Sequence, residues 1–278
     1  MQLFVNDLTV IDFSYCCSKR GIVGESWIVD VLLDGSLNEM SMVLDFAVVK
    51  KQIKAIIDDA VDHKLLLPIN NKMIECSASS INEDHEFVDV FSDRAHYFLQ
   101  SPKCAFAKVE SEEIDIASVT KHLTTIILKE LPKNVQGLTL TLRPENIDGD
   151  FYHYTHGLKL HDGNCQRIAH GHRSKIHIYR DGKRDNDLEN KWALKLDDCY
   201  IGTTEDIISQ NEKTTSFAYE SLQGKFNLSI PSNIVHKITT DSTVEHITSY
   251  LHKVITKEFP GEVITVKAYE CVGKGAIA

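Results

Sequence analysis

The sequence predicts an α+β protein made of two domains with similar element order. Apolar and polar residues alternate over residues 2–16, as in a strand with one buried face. Apolar residues recur at helical spacing in three later runs, which predicts helices that each bury one face. These runs are residues 46–61, 116–131 and 243–257. We therefore expect two antiparallel sheets, each covered by helices on one face, in domains 1–148 and 149–278.

The first domain is predicted to have five strands and two helices. Its strands are predicted at residues 2–16, 25–34, 87–91, 104–109 and 138–142. Asp34-Gly35-Ser36 marks a turn, the first helix ends at Asp62-His63, and Pro132 stops the second helix. Residues 146–150 are rich in turn formers and indicate the domain boundary.

The second domain is predicted to have strands at residues 151–157, 175–179 and 263–268. Ser242 and Glu245 form a possible capping box at the start of its helix. Residues 181–210 are polar and show no counterpart of the first helix. Lys129-Glu130-Leu131-Pro132 parallels Lys257-Glu258-Phe259-Pro260, and each proline precedes a strand that ends in Glu145 or Glu270. This shared order favours an internal duplication.

Composition restricts the class of protein. The chain has 278 residues, a net charge of −10 and 42% hydrophobic residues, typical of a globular protein rather than a nucleic-acid binder. No apolar run approaches ~18 residues, so we expect no membrane span. The N-terminus does not resemble a signal peptide. The seven cysteines lack a disulfide framework, which favours reduced thiols and a cytoplasmic location.

Basic residues are concentrated between residues 156 and 184. The seven are Lys159, Arg167, Arg173, Lys175, Arg180, Lys183 and Arg184, against only Asp162 and Asp181. This local charge could attract an anionic small molecule such as a phosphate ester. The alternative is a positively charged hairpin that is simply solvated.

Three histidines form a candidate metal site. His170 and His172 are two residues apart, so in a strand they project from the same face. His156 ends an aromatic strand-like segment and could face them across a hairpin. Three histidines with an open fourth position are the ligand set of a catalytic zinc ion, although imidazole also suits copper, iron and nickel. The alternative is an ordinary polar strand face.

Four further residues are candidates for catalysis or binding. Asp62 could orient His63 for acid–base chemistry, but histidine is also common at the end of a helix. Cys165 precedes the histidine pair and is either a reactive thiol or an inert surface cysteine. Glu270 could accept two hydrogen bonds from an N–C–NH2 edge, as in a pterin or guanine, or could be a rim carboxylate.

These residues together resemble the 6-pyruvoyltetrahydropterin synthase / 6-carboxytetrahydropterin synthase family. The resembling motifs are Phe151 with His156, Cys165 before His170-Gly171-His172, Leu44-Asp45-Phe46, Asp62-His63, Ser242-Thr243-Val244-Glu245 and Glu270. The resemblance spans most of the chain, although neither half carries every motif. It implies two tandem tunnelling-fold (T-fold) modules and assembly into a homo-oligomer.

The resemblance also implies an activity. Zinc held by His156, His170 and His172 would act on 7,8-dihydroneopterin triphosphate. Cys165 and His63, supported by Asp62, would move protons, and Glu270 with Thr243 would hold the pterin. The product would be 6-carboxytetrahydropterin, which a role in queuosine synthesis would favour, or 6-pyruvoyltetrahydropterin. An epimerase and a non-catalytic pterin- or purine-binding protein are the remaining alternatives.

The first half departs from the family pattern. Cys17 stands where the first zinc histidine is expected, and Val23-Gly24-Glu25 stands in place of His-Gly-His. Only the second half is therefore expected to bind zinc. Since Asp62-His63 lies in the first half and Cys165 in the second, we expect one composite site where two modules meet. The sequence leaves open whether they meet within a chain or between chains.

Overall fold

The computed structural model describes most of the chain. The described residues are 1–35, 46–79, 83–131 and 135–278, without the side chains of residues 46 and 47. Four residues that entered the sequence predictions, Ser36, Leu44, Asp45 and Pro132, lie outside the described residues. None of the four described helices is long and apolar enough to cross a membrane.

The N-terminal half, through Pro144, has eight strands and two helices within the described residues. They are β1 (Gln2–Cys17), β2 (Gly21–Gly35), α1 (Phe46–Ala60), β3 (Leu65–Pro68), β4 (Ile74–Ala78), β5 (His85–Phe91), β6 (His96–Pro102), β7 (Phe106–Val109), α2 (Ile116–Glu130) and β8 (Val135–Pro144).

The C-terminal half, from Phe151, has ten strands and two helices. They are β9 (Phe151–His156), β10 (His170–Arg180), β11 (Lys183–Arg184), α3 (Asn186–Leu196), β12 (Cys199–Thr203), β13 (Ile207–Gln210), β14 (Thr214–Ser221), β15 (Gly224–Pro231), β16 (Val235–Ile238), α4 (Val244–Glu258), β17 (Ile264–Tyr269) and β18 (Gly275–Ile277).

Each half has one main sheet, and five strands of each sheet follow the same arrangement. The N-terminal sheet has the order β7-β3-β1-β2-β8, and the C-terminal sheet has the order β16-β12-β9-β10-β17-β18. The α+β class is confirmed. The expectation of purely antiparallel sheets is wrong, because β3 runs parallel to β1 and β7, and β12 runs parallel to β9 and β16. The chain passes through α1 or α3 before β3 or β12 joins the sheet, and such a crossover allows parallel pairing.

Helix α3 corrects the interpretation of residues 181–210 as lacking a helix. The apolar side chains on its buried face are Leu188, Trp192, Ala193 and Leu196, which recur at helical spacing. The other positions are mostly charged or amide side chains, which concealed this short stripe in the sequence. Asp185 caps the helix by accepting a hydrogen bond from the Leu188 N–H at 3.0 Å. Helix α3 therefore follows β10 and β11 as α1 follows β2.

A third sheet joins the two halves. Its strand order is β13-β14-β15-β6-β5-β4, and β15 pairs with β6 antiparallel at Leu228 and Leu99. Tyr97, Phe217 and Phe226 are buried in the apolar core beneath this sheet. Each main sheet has a separate core against its own helices.

The β1–β2 and β9–β10 hairpins cross in direct contact. A Cβ atom on Gly24 would lie 1.9 Å from the carbonyl oxygen of Tyr154, and one on Gly171 would lie 2.6 Å from the Gly24 Cα. The hydroxyls of Ser14 and Thr155 form a hydrogen bond of 3.0 Å beside them. The absence of side chains at both glycines lets the backbones approach, so side chains of β1 reach β10.

Candidate active site

The three predicted metal-binding histidines converge. His156 pairs directly with His170 across the β9–β10 hairpin, and His172 follows on the same face. One ring nitrogen from each lies within 4.8 Å of the others. The His156 and His172 Nε2 atoms are 3.2 Å apart. All three side chains are buried.

Hydrogen bonds orient two of these rings. His156 Nδ1 lies 3.0 Å from the carbonyl oxygen of Ser242, and His170 Nδ1 lies 2.9 Å from that of Arg167. A carbonyl can only accept, so Nδ1 carries the proton in both neutral rings and Nε2 presents a lone pair. The buried Nε2 of His170 has no hydrogen-bond partner among the described residues. The histidine set therefore fits a metal ion, and zinc suits three neutral imidazoles.

Burial favours the form of the histidines that binds metal. Removal from water lowers the pKa of His156 and of His170 well below its usual value, and neighbouring imidazoles lower the pKa further. A ring must be neutral to donate its lone pair to a metal. Burial thus keeps these two imidazoles in the neutral form that could bind a metal.

Asp62 and His63 of the N-terminal half lie beside the histidines of the C-terminal half. His63 has a positive φ of 53°, a left-handed conformation that ends α1 and turns its ring toward His170, with ring centroids 5.2 Å apart. His63 Nδ1 lies 2.6 Å from Asp62 Oδ2. Burial alone would lower the pKa of His63, but hydrogen bonds with Asp62 and Cys165 outweigh it and raise the pKa to about 10.

Cys165 completes the group. It lies in a short 3-10 turn, and its Sγ is within 4.8 Å of ring nitrogens of both His63 and His170. The adjacent Gln166 is buried and fixes this turn, because its carbonyl oxygen accepts a hydrogen bond from Tyr219 at 2.8 Å. Residues of both halves therefore meet within one chain. The sequence had left open whether they meet within a chain or between chains.

Glu270 faces the same site. Its Oε1 lies 4.0 Å from His172 Nε2, and its Oε2 lies 3.7 Å from Lys274 Nζ. Thr243 is the N-cap of α4 and accepts a hydrogen bond from the His246 N–H at 3.4 Å. The predicted capping box led by Ser242 is therefore wrong, and Ser242 instead contacts His156.

The basic cluster does not form an open anion site. Lys159 binds Asp206, Arg180 binds Glu262, and Arg184 binds Glu189. Lys175 binds Glu145, and Arg173 lies over the ring of Phe151. Arg167 is buried, and its Nη1 donates to the carbonyl oxygens of Asp62 at 3.3 Å and His63 at 3.4 Å. Most of this charge is therefore neutralised or engaged within the chain.

The sequence did not identify Asp12 as a site residue, and it placed Arg167 only in the basic cluster. Asp12 is 3% exposed and its Oδ1 lies 3.2 Å from His172 Nδ1. Burial would raise the pKa of Asp12, but its interactions with His172 and with the Ser26 hydroxyl hold it well below its usual range. The available signal was a carboxylate between two core residues, Ile11 and Phe13, in a strand.

The N-terminal half has a counterpart of this site without the histidines. Val23 pairs with Tyr15, so Tyr15 and not Cys17 occupies the place of His156. The position of His63 at the end of α1 corresponds to Asp198 after α3, which also has a positive φ, of 57°. Asp198 forms a bidentate ion pair with Arg20. An ion pair thus occupies the place that His63 has in the other site.

Comparisons with known proteins agree with the resemblance. A family model described as 6-pyruvoyl tetrahydropterin synthase matches residues 17–133, in the half without the three histidines. A comparison with curated proteins gives no significant match.

Similar solved structures include a catalytic-residue mutant of Plasmodium vivax 6-pyruvoyltetrahydropterin synthase. It is 16% identical, with 51% of this chain and 90% of that chain covered and a TM-score of 0.42. The Plasmodium falciparum enzyme is 12% identical, with 51% and 97% covered and a TM-score of 0.39. The family match covers less than half of the chain, and residues 17–133 are therefore similar to the 6-pyruvoyl tetrahydropterin synthase family.

Proposed function

We propose that the chain is a zinc-dependent enzyme that converts 7,8-dihydroneopterin triphosphate to a tetrahydropterin. The match of residues 17–133 to the 6-pyruvoyl tetrahydropterin synthase model supports a pterin synthase-type function. The observation that carries the finer proposal is the meeting of three histidines, an Asp–His pair and a cysteine within one chain. A binding protein without turnover would need neither the Asp–His pair nor the thiol.

The residues are proposed to have separate roles. His156, His170 and His172 would hold zinc, which would supply Lewis-acid polarisation of the hydroxyls on the substrate side chain. Cys165 and His63, whose Sγ and ring nitrogen lie within 4.8 Å of one another, would transfer protons at that side chain. The Asp62 carboxylate would keep the His63 ring in place.

We also propose the domain organisation and the assembly. The matching strand orders of the two main sheets support two tandem T-fold modules, 1–148 and 149–278. Within the described residues, β7 and β8 are the edge strands of the N-terminal sheet, and each pairs with a neighbouring strand on one side only. The backbone groups on their other side could pair with a strand of another chain. Such edges favour a homo-oligomer.

Product analysis tests the proposed reaction. We propose 6-carboxytetrahydropterin as the product. Zinc-loaded protein incubated with 7,8-dihydroneopterin triphosphate should yield it in a mass spectrum. Formation of 6-pyruvoyltetrahydropterin would contradict this product but support the enzyme class. Tight binding of the substrate without any turnover would contradict the enzyme and support a binding protein.

Glu270 and Thr243 are proposed to hold the pterin ring. Glu270→Gln keeps the shape but replaces one acceptor oxygen by a donor, which should cost about 2–4 kcal/mol of pterin binding. Calorimetry with a pterin measures this change. Glu145→Gln is the matched control, since Glu145 follows β8 as Glu270 follows β17 but binds Lys175. Pterin affinity of Glu270→Gln within twofold of wild type would contradict the role.

A further inference from the structure

We infer that Asp12 of the N-terminal half orients His172 as a metal ligand. This inference rests on the zinc site proposed above and assigns to the N-terminal half a role beyond proton transfer. Asp12 is a positioning residue here, because it contacts a ligand and not the metal or the substrate.

The hairpin crossing places Asp12 at the site. Its neighbours Ile11 and Phe13 point into the core of the N-terminal half, so alternation turns Asp12 toward the opposite face of β1. On that face Asp12 Oδ1 accepts a hydrogen bond of 2.5 Å from the Ser26 hydroxyl and lies 3.2 Å from His172 Nδ1. Both side chains of the Asp12–His172 contact are buried, at 4% and 2% exposure.

The three histidines differ in the group that lies beside Nδ1, the ring nitrogen that does not face the proposed metal. His156 and His170 have Nδ1 against the backbone carbonyls of Ser242 and Arg167, whereas His172 Nδ1 faces a carboxylate. A carboxylate beside Nδ1 fixes the proton there, leaves the Nε2 lone pair for the metal and raises the basicity of the ring. His172 should therefore be the ligand most dependent on its outer partner.

The backbone of Asp12 also holds the proton-transfer pair. Its N–H donates to Asp62 Oδ1 at 2.8 Å, and its carbonyl oxygen accepts from the His63 N–H at 2.6 Å. One residue of β1 thus fixes both the metal ligand and the Asp–His pair. These backbone hydrogen bonds do not need the Asp12 side chain. A substitution at Asp12 therefore removes the carboxylate beside His172 but leaves the backbone contacts with Asp62 and His63.

A second metal at Asp12 is the competing interpretation. Ligand atoms of Asp12, His172 and Cys271 also lie within 4.8 Å of one another. Binding there as well as at Nε2 would require His172 to lose both ring protons and bridge two metals. A buried carboxylate 3.2 Å from Nδ1 favours the protonated nitrogen instead. We therefore assign Asp12 as an outer partner of His172 Nδ1, at ion-pair distance, rather than as a metal ligand.

The counterpart site supplies a matched control. There His153 Nδ1 lies 4.0 Å from Glu25 Oε2, and the His153 N–H donates to Asp197 Oδ1 at 2.9 Å, as Asp12 does to Asp62. Glu25 is a buried carboxylate from the same hairpin, and it belongs to none of the candidate metal groups among the described residues. Glu25→Gln therefore also replaces a buried carboxylate by an amide, but at a residue that does not contact a proposed metal ligand.

Zinc affinity measured against a competing chelator tests the inference without relying on turnover. Asp12→Asn should weaken zinc binding by about 10-fold and Asp12→Ala by up to about 100-fold, the range found for outer carboxylates. Glu25→Gln should stay within twofold of wild type. The Co2+ absorption spectrum should shift in Asp12→Asn only.

Thermal unfolding of the zinc-free proteins identifies any variant that fails to fold. If Asp12→Ala does not fold, Asp12→Asn still tests the inference, because asparagine has nearly the same shape as aspartate. Equal zinc affinity in wild type and Asp12→Asn would overturn this inference alone. Wild type that binds no zinc would overturn both this inference and the proposed metal site. Two zinc ions per chain, one of them lost in Cys271→Ser, would show that Asp12 is a metal ligand instead.

Discussion

Replacing His63 by alanine should lower turnover by at least ~100-fold while zinc stays bound. This is the size of effect expected when an acid–base group is lost. Cys165→Ala should have a similar effect for the same reason, since Cys165 Sγ and a His63 ring nitrogen lie within 4.8 Å of His170 and neither residue is one of the three proposed zinc ligands. Steady-state kinetics with a parallel zinc assay measures both results.

His96 offers a matched control for His63. It forms the same kind of Asp–His pair, with Nε2 2.6 Å from Asp89 Oδ1, but on the exposed β5–β6 hairpin. His96→Ala should therefore keep normal turnover. Near-normal turnover of His63→Ala would contradict a site composed of both halves.

Mixing the two variants tests where the site is assembled. The structure brings His63 and Cys165 together in one chain, so a wild-type site needs both residues on that chain. Co-refolding His63→Ala with Cys165→Ala should restore no activity. Recovery toward a quarter of wild type would mean that the two halves of a site come from different chains.

Zinc binding should be abolished by the double substitution His170→Ala, His172→Ala. Two of three buried ligands are then lost, and a single remaining imidazole cannot hold zinc tightly. Elemental analysis should give one zinc per wild-type chain and none for the variant. His177→Ala is the control, because His177 lies on the same strand but contacts Tyr269. Two zinc ions in wild type or full retention in the double variant would contradict the assignment.

The sequence predicted the local parts of the site better than its assembly. His170 and His172 share a face because strand geometry requires it, and His156 reaches them across one hairpin. The crossing of two hairpins at Gly24 and Gly171 depends on packing between distant segments, which no local pattern encodes. Asp12 was missed for this reason, since its partner lies far along the chain.

Errors in the fold predictions have physical causes. Helix α3 was missed because its charged surface masks a narrow buried stripe ending at Leu196. Cys17 was matched to His156 by counting along the chain, whereas strand pairing selects Tyr15. The basic cluster suggested a phosphate site because its partners, such as Glu189 and Glu262, lie on other elements.

The sheet that both halves share makes each half depend on the other. Strand β6 from one half and β15 from the other occupy adjacent positions in its centre. A chain cut between Pro144 and Phe151 would leave each fragment with an unpaired inner strand, ready to add to strands of other chains. Either half could exist as an independent protein only if these exposed edges were redesigned. Substitutions elsewhere in either half leave the shared sheet in place, so the two halves stay physically united.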